Sequence, residues 1–354
     1  MSEARESVKQ LRVINVKKSN TLIQSIGKTT LISNKVFLTA LLNVEKREGC
    51  PSALTSYYKN LENICGADFS HGLVSEFTNA DMRNFMTKSG SYYKSIEELM
   101  DSNSPDSLKK QWGIMINRPE DGLYGFVDVI TAMIYDSKKG KLFVKFSDEK
   151  RIQEEIYNLK KNYTILNYGV MMSFTSVYSY RIYEMLMSRI GYEDGSTKKK
   201  KDVYVFDYGL SELKYHLGIL DPYINVNVKK AISAAKTAED FDRIEDNIST
   251  EHKMPRYNDF EKYSLKKAKT EINAIKDREF NFSYEPIRNG RGGRVTGVTL
   301  IMERIASVQK LQQPELSEDE KDEIIDEIRD LITEPLKTKD IRSIAETAGY
   351  DMGK

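Results

Sequence analysis

The chain has 354 residues, of which 40% are hydrophobic, and its 54 basic and 53 acidic residues leave a formal net charge of +1. This length favours two domains, and the hydrophobic content is sufficient for a core in each. No apolar run is long enough to span a bilayer, residues 1–10 are polar, and there are only two cysteines. These features exclude the membrane-spanning and disulfide-rich secreted classes and favour a reduced, cytoplasmic protein with no membrane partner.

The charges are distributed unevenly along the chain. Residues 253–294 contain eleven Lys or Arg and six acidic residues, whereas residues 315–334 contain ten acidic residues and two basic ones. A basic surface that attracts a polyanion can therefore exist although the total charge is close to neutral.

The first predicted elements are two helices. Ser33 is a suitable N-cap for a helix that ends near Gly49, and a short helix is expected over residues 53–63. The apolar residues of the first helix lie at helical spacing: Val36, Phe37, Ala40, Leu41 and Val44. Gly27-Lys28-Thr29 does not complete a phosphate-binding loop, because the first glycine of that motif would fall at Leu22.

A pair of helices separated by Ser89-Gly90 is expected next. Thr78 caps the first, over residues 80–86, and the second covers residues 92–100. Helix, glycine-containing turn and helix form the helix-turn-helix arrangement, although many helical proteins contain such a pair. The candidate DNA-binding residues at the start of the second helix are Ser91, Tyr92 and Lys94.

Strand patterns occupy residues 112–146. Strand segments are expected over residues 114–116, 127–135 and 142–146, with turns at 119–122 and 137–140. Ser147 then caps an amphipathic helix over residues 148–159. The first half of the chain is therefore predicted to contain helices followed by a β-hairpin.

The second half repeats this plan and ends in the most informative stretch of the chain. A helix is expected over residues 173–190, then a polar loop, a short helix over residues 210–217 and an acidic segment to residue 257. An amphipathic helix over residues 258–275 follows, with one apolar face formed by Phe260, Ser264, Leu265, Ala268, Ile272 and Ile275. Its opposite face contains Lys262, Lys266 and Lys269.

A β-hairpin is predicted directly after this helix. Residues 280–284 and 295–302 alternate apolar and polar side chains, and the intervening turn contains Arg288, Arg291 and Arg294. A lysine stripe alone is more often a solvated helix face than a binding surface. With the arginine-rich turn beside it, the pattern is typical of a winged helix that contacts DNA.

The composition changes after Pro314. Ser317 and Glu320 form a capping box for an acidic amphipathic helix over residues 318–332, and a short helix is expected over residues 338–348. We interpret residues 312–354 as an acidic helical tail.

The chain resembles the plasmid replication initiators of the iteron-binding Rep superfamily. The resemblance rests on three stretches, namely Lys18–Ile23, Ser176–Leu186 and the block Asp259–Asn273 with Tyr284–Arg291. They occur in the family's order, and the match spans about residues 11–305. The middle stretch, with the sequence SVYSYRIYEML, is the most specific of the three.

This resemblance implies an α+β fold of two tandem winged-helix domains, each a helix-turn-helix with a β-hairpin wing, followed by the helical tail. The expected boundaries are residues 1–165, 166–311 and 312–354. The resemblance also implies binding to double-stranded DNA at repeated origin sites, origin opening, and contacts with the replicative helicase and the host initiator. A homodimer that represses its own promoter is a further implication, and no cofactor is implied.

The resemblance also implies residue roles in the second recognition helix. This helix is expected to start at Arg256 and continue past Lys266, with Arg256, Lys262, Tyr263 and Lys266 at the positions that read bases. The family's usual basic cluster after Phe260 is replaced by Glu261, Lys262 and Tyr263, and residues 229–255 are additional sequence.

Two other functions stay open at this stage. The first is a winged-helix transcriptional regulator that binds DNA without opening it. The second is a primase-type replication enzyme that binds a metal ion through Asp240 and Asp242, although these residues lie in an acidic run typical of a solvated segment. The histidines are isolated in sequence and the two cysteines form no zinc pattern, so no catalytic or metal-binding residue is expected.

Overall fold

The structure is a computed structural model of the chain. It describes residues 14–24, 30–50, 52–78, 81, 99–100, 113–118, 123–197, 200–220, 226–248, 254–276, 278–290 and 293–305, with the backbone alone for 113–118 and 123–127. Ser91, Tyr92, Lys94, Arg291 and the predicted tail lie outside the described residues. Within the described residues, no helix has the length and apolar character needed to cross a membrane.

The first half of the chain forms three antiparallel strand groups. Its elements are β1 (Asn15–Ser19), α1 (Asn20–Gln24), α2 (Leu31–Leu42), β2 (Val44–Glu48), α3 (Thr55–Cys65), β3 (His71–Thr78), β4 (Gly113–Arg118), β5 (Leu123–Asp128), β6 (Ile130–Asp136), β7 (Lys141–Phe146), α4 (Lys150–Ile156) and β8 (Tyr163–Asn167). One sheet has the strand order β2-β3-β7-β6, β4 pairs with β5, and β1 pairs with β8. The predicted turns at 119–122 and 137–140 therefore do connect paired strands.

The second half forms a three-stranded sheet with helices on one face. Its elements are α5 (Tyr168–Ser173), α6 (Val177–Thr197), β9 (Val203–Gly209), α7 (Leu210–His216), α8 (Val226–Ala234), α9 (Ala238–Asp246), β10 (Phe280–Arg288) and β11 (Val295–Arg304), with α10 between α9 and β10. Helix α10 consists of Tyr257–Phe260, a π-helical turn at Glu261–Leu265, and Lys266–Asn273. The antiparallel strand order is β10-β11-β9.

One hydrophobic core cluster contains buried residues from both halves of the chain. It includes Phe37 of α2, Leu186 of α6 and Leu300 of β11, all fully buried. The described residues up to Arg304 accordingly belong to one compact unit. Burial of apolar surface on this scale is the dominant stabilising contribution to the fold.

A buried ionic cluster connects the two halves next to this core. Lys18 Nζ lies 2.5 Å from Glu184 Oε1, and Arg181 Nη1 lies 3.2 Å from Glu184 Oε2. Arg181 also donates to the backbone carbonyls of Ile23 in α1 and His216 in α7, at 3.3 and 3.4 Å. Lys18, Arg181 and Glu184 are 1%, 4% and 0% exposed. Burial lowers the pKa of Lys18, whereas Glu184 acts in the opposite direction.

Several predicted boundaries are wrong in the first half. Thr30, not Ser33, caps α2, because the Ser33 amide donates to Thr30 Oγ1 and the Thr30 amide donates to Ser33 Oγ. The helix ends at Leu42, and residues 44–48 form a strand paired with β3 instead of continuing it. The helix predicted over residues 148–159 is shorter, Lys150–Ile156. The sequence pattern also missed β1, β2, β3, β8 and β9.

Candidate nucleic-acid interface

Helix α10 forms the centre of the candidate interface. The apolar face predicted from the sequence is confirmed, since Phe260, Leu265, Ala268 and Ile272 are all 0–1% exposed. Ser264 on the same face is also fully buried and its hydroxyl donates to the carbonyl of Phe260. Ser264 and Leu265 both lie in the π-helical turn. Such single turns occur often at functional sites.

Two hydrogen-bonded anchors fix the C-terminal end of α10. The side chain of Asn273 donates to the Phe282 carbonyl at 2.9 Å and accepts from the Phe282 amide at 2.7 Å. Glu271 accepts from the amides of Thr175 and Ser176, at 3.1 and 3.3 Å, immediately before the start of α6. Burial alone would raise the pKa of Glu271, but its hydrogen bonds lower it. The helix is thus attached to both β10 and α6.

The opposite face of α10 is exposed and rich in lysine. Its exposed residues are Lys262, Tyr263, Lys266, Lys267, Lys269 and Thr270. Lys266 Nζ lies 3.3 Å from Glu261 Oε2, and Lys267 Nζ lies 3.2 Å from Glu271 Oε1. Lys262 and Lys269 have no ion-pair partner within the residues that the structure describes, and Lys262 Nζ lies 5.1 Å from the ring centroid of Tyr263. The four lysines therefore differ in the charge that each can offer to a phosphate.

Glu261 is a site residue that the sequence analysis did not select. Its Oε1 accepts a hydrogen bond from the Tyr284 hydroxyl at 3.0 Å, so it connects the π-helical turn of α10 to β10. Burial and the nearby Glu261 raise the pKa of Tyr284 well above its usual range. The only sequence signal was that an acidic residue occupies a position where the resembling family is usually basic.

The wing is the turn between β10 and β11. The Asn289 amide donates to the Arg294 carbonyl at 3.2 Å, and Arg288 Nη1 donates to the Gly293 carbonyl at 3.1 Å. Gly290 has a φ of +77°, a conformation that favours glycine. Arg288 and Arg294 are exposed and neither forms an ion pair among the described residues. The turn therefore displays two arginines close to the start of β11.

The wing lies beside the first turn of α10. Burial and Glu261 raise the pKa of Tyr257 in this turn to about 12, and the positive charge of Arg288 in the wing acts in the opposite direction. Arg256 is exposed at the N-cap position of the same helix. The structure thus brings Arg256, α10 and Arg288 to one end of the second winged helix.

The corresponding site in the first half is described only in part. The Asp81 amide donates to Thr78 Oγ1 at 3.3 Å, and the rest of the helix predicted over residues 80–86 lies outside the described residues. Leu99, within the helix predicted over residues 92–100, is buried. Ser91, Tyr92 and Lys94 lie outside the described residues, so their roles stay predictions.

The aspartates of the primase alternative have structural partners. Asp240 accepts from the amides of Lys236 and Thr237 at 3.0 and 3.1 Å at the start of α9, and the first of these bonds contributes most to lowering its pKa. Asp242 accepts from the hydroxyl of Ser211 in α7. Within the described part of the chain, no group of His, Cys, Asp and Glu could form a metal site. Asp240 thus caps its own helix, and only Asp242 attaches α9 to α7.

Comparison with known proteins identifies both halves of the chain. A family model described as "Initiator Replication protein, WH1" matches residues 15–187. A second, described as "Initiator Rep protein, WH2", matches residues 240–301. Together the two models cover about two thirds of the chain.

A solved structure shows the same fold. It is the Pi initiator protein in complex with iteron DNA, which is 15% identical to this chain with a TM-score of 0.52. The alignment covers 83% of this chain and 99% of that one. A search of the curated proteins finds no match. The predicted α+β architecture of two winged-helix domains is confirmed by these comparisons.

Proposed function

The chain belongs to the family of plasmid initiator replication (Rep) proteins, and we propose that it starts replication by binding directly repeated origin sites, or iterons, with both winged helices. The observation that carries this proposal is the lysine-rich face of α10 beside the exposed arginines of the wing. The buried face of the same helix is fixed to the core, β10 and α6. The cationic face is therefore rigidly presented to a ligand.

Helix α10 has the dimensions and charge needed to enter a major groove, which admits an α-helix. Lys262 and Lys269 would neutralise phosphates, and release of the condensed counterions would supply much of the affinity. Arg256, Tyr263 and Lys266 would contact base edges, each good pair contributing about 1–3 kcal/mol of discrimination. Arg288, Arg291 and Arg294 of the wing would contact the backbone or the minor groove.

The first winged helix would bind a second part of the same repeat through Ser91, Tyr92 and Lys94. Joining two modules makes the second binding event intramolecular, which raises the overall affinity without additional contacts. We assign the first domain to residues 1–165, the second to residues 166–311 and a helical tail to residues 312–354. The continuous core and the ionic cluster of Lys18, Arg181 and Glu184 support a fixed arrangement of the two domains.

The later steps of initiation require no catalytic residue in this protein. Binding along several repeats would bend the duplex, and the deformation energy would favour opening of adjacent DNA. The bound protein would then recruit the replicative helicase with the help of the host initiator, in the cytoplasm where the plasmid resides. A homodimer bound at the protein's own promoter would repress its synthesis.

The test combines replication with binding. A plasmid that contains this gene and its flanking DNA should replicate in a host that cannot otherwise maintain that plasmid. The purified chain should bind the flanking tandem repeats more tightly than a scrambled duplex of the same composition. Specific binding without replication would instead favour the transcriptional regulator, and equal binding to both duplexes would contradict the proposal.

A further inference from the structure

The π-helical turn of α10 joins an acidic residue to one lysine of the exposed face. The Lys266 amide donates to the carbonyl of Glu261, five residues earlier, which closes the turn. In a regular α-helix, residues five apart are rotated by about 140° from each other, so their side chains are not neighbours. Here Lys266 Nζ lies 3.3 Å from Glu261 Oε2. The π-helical turn therefore creates an ion pair that a regular helix would not favour.

Glu261 is itself held in place by the sheet. Its other oxygen, Oε1, accepts from the Tyr284 hydroxyl of β10 at 3.0 Å. Burial and Glu261 raise the pKa of Tyr284, so this hydroxyl stays protonated and remains a donor. The side chain of Glu261 is only 23% exposed, whereas that of Lys266 is 61% exposed. A carboxylate anchored to the protein thus restrains an ammonium group that is open to solvent.

Stability does not explain an acidic residue at this position. An ion pair with an exposed lysine contributes little to the stability of a fold. A carboxylate on a DNA-binding face also opposes the attraction of phosphates. Lys262 and Lys269 of the same face have no ion-pair partner in the described part of the chain, so their ammonium groups can reach any phosphate nearby. Lys266 differs from them because its position is fixed.

A restrained lysine distinguishes between phosphates and bases. Phosphates lie along the whole duplex, so a mobile lysine finds one in every register. The O6 and N7 acceptors of a guanine instead occupy defined positions in the major groove. An ammonium group has three donors, so Lys266 can donate to Glu261 and to a guanine at the same time. Glu261 thereby lowers the affinity for phosphates while it leaves a contact to the base.

Resting on the proposed function, we propose that Glu261 is a positioning residue that determines specificity by holding Lys266 toward a guanine edge of the repeat and away from phosphates. The π-helical turn aligns the pair, and Tyr284 fixes the carboxylate. An acidic residue at a position where the family is usually basic then reduces binding to unrelated DNA more than binding to the repeat.

The main variant is Glu261→Gln, which removes the charge but keeps an oxygen that can accept from Tyr284. Glu285→Gln is the matched control, because it changes the net charge equally and the exposed Glu285 lies on the opposite face of β10 from Tyr284. The full-length proteins are titrated by fluorescence anisotropy with the repeat duplex and a scrambled duplex at several salt concentrations. Single base-pair replacements in the repeat then locate the guanine.

We expect the freed Lys266 of the Glu261→Gln protein to contact a phosphate. The slope of log affinity against log salt should therefore steepen by about 0.9, and affinity for the scrambled duplex should rise. The ratio of repeat to scrambled affinity should fall by about fivefold or more, as for loss of one good base contact. The Glu285→Gln protein should keep the wild-type slope and ratio. The penalty for replacing one G·C pair should decrease in the Glu261→Gln protein and disappear in the Lys266→Ala protein.

A double variant separates positioning from direct contact. In the Lys266→Ala background, Glu261→Gln should leave the base preference unchanged. A further change there would overturn the inference, since Glu261 would then contact a base itself. Equal slopes and ratios in wild type and the Glu261→Gln protein, or equal changes in the Glu261→Gln and Glu285→Gln proteins, would also overturn it.

Two controls complete the experiment. Tyr284→Phe releases the same carboxylate without changing the charge and should also lower the affinity ratio; it decides the question if the Glu261→Gln protein does not fold, and an unchanged ratio would then refute the inference. Failure of the proposed function looks different, because the wild type itself would then bind both duplexes equally.

Discussion

The electrostatics of α10 can be tested with two double variants that change the net charge equally. Lys262→Ala/Lys269→Ala removes the two α10 lysines that have no ion-pair partner in the described part of the chain, and Lys266→Ala/Lys267→Ala removes the two that are paired with carboxylates. Both leave 52 basic residues against 53 acidic ones, so any difference between them arises from local pairing and not from total charge. Alanine favours the helix, so neither should unfold it.

The magnitude follows from counterion release. Each phosphate contact on duplex DNA contributes about 0.9 to the slope of log affinity against log salt, so loss of two contacts lowers that slope by about 1.8. Over a fourfold rise in salt, wild type should therefore lose about 12-fold more affinity than the Lys262→Ala/Lys269→Ala protein. The Lys266→Ala/Lys267→Ala protein should change the slope by less than about 0.9, because Glu261 and Glu271 already offset those charges.

The assay is fluorescence anisotropy with the flanking repeats and with a scrambled duplex at a series of salt concentrations. An unchanged slope in the Lys262→Ala/Lys269→Ala protein would mean that this face does not contact phosphates. Equal slope changes in the two double variants would refute the reasoning from ion pairs, since the neighbouring carboxylates would then have no effect.

Three further predictions use single substitutions. Arg294→Ala should weaken binding to all sequences equally and lower the salt slope by about 0.9, and a change in base preference would contradict its assignment to the backbone. Glu184→Gln removes the buried carboxylate that Lys18 and Arg181 share and should cost about 3–5 kcal/mol in the free energy of unfolding, measured by urea titration. A loss below about 1 kcal/mol would show that the cluster tolerates the change. Asn273→Ala removes both bonds to Phe282 and should cost about 1–3 kcal/mol in the same titration, whereas exposed Asn289→Ala serves as its neutral control.

The second winged helix was predictable because its pattern is local. The buried face of α10, the alternation of β10 and β11 and the turn between them all follow from residues within a few positions of each other. The π-helical turn was not predictable, since Ser264 and Leu265 are consistent with an ordinary helix until the core that buries them is known. The role of Glu261 was not predictable either, because its hydrogen-bond partner Tyr284 lies on β10.

The features that the sequence did not predict are mostly those whose interacting residues are distant from each other in the chain. Strand β9 (Val203–Gly209) was not predicted, although its side chains alternate clearly between buried and exposed. Its partner β11 follows only after four helices, so no adjacent strand pattern indicates the pairing. The i,i+3 spacing of Arg181 and Glu184 is equally typical of a weak surface ion pair. Their burial depends on Lys18, which comes from the opposite end of the first domain, and no local pattern reveals it.

The continuous core also has a consequence for the DNA. Because both winged helices contribute buried side chains to one core, and Arg181 also donates to the His216 carbonyl, a protein that binds DNA with both of them would hold them in one relative orientation. The distance and helical phase between their two contacts are then set by the protein. Inserting about five base pairs between the two contacted segments of one repeat would turn them to opposite sides of the duplex, whereas about ten would restore the phase but not the separation. The packing of the two winged helices would therefore determine the length of the repeat unit that the protein can bind.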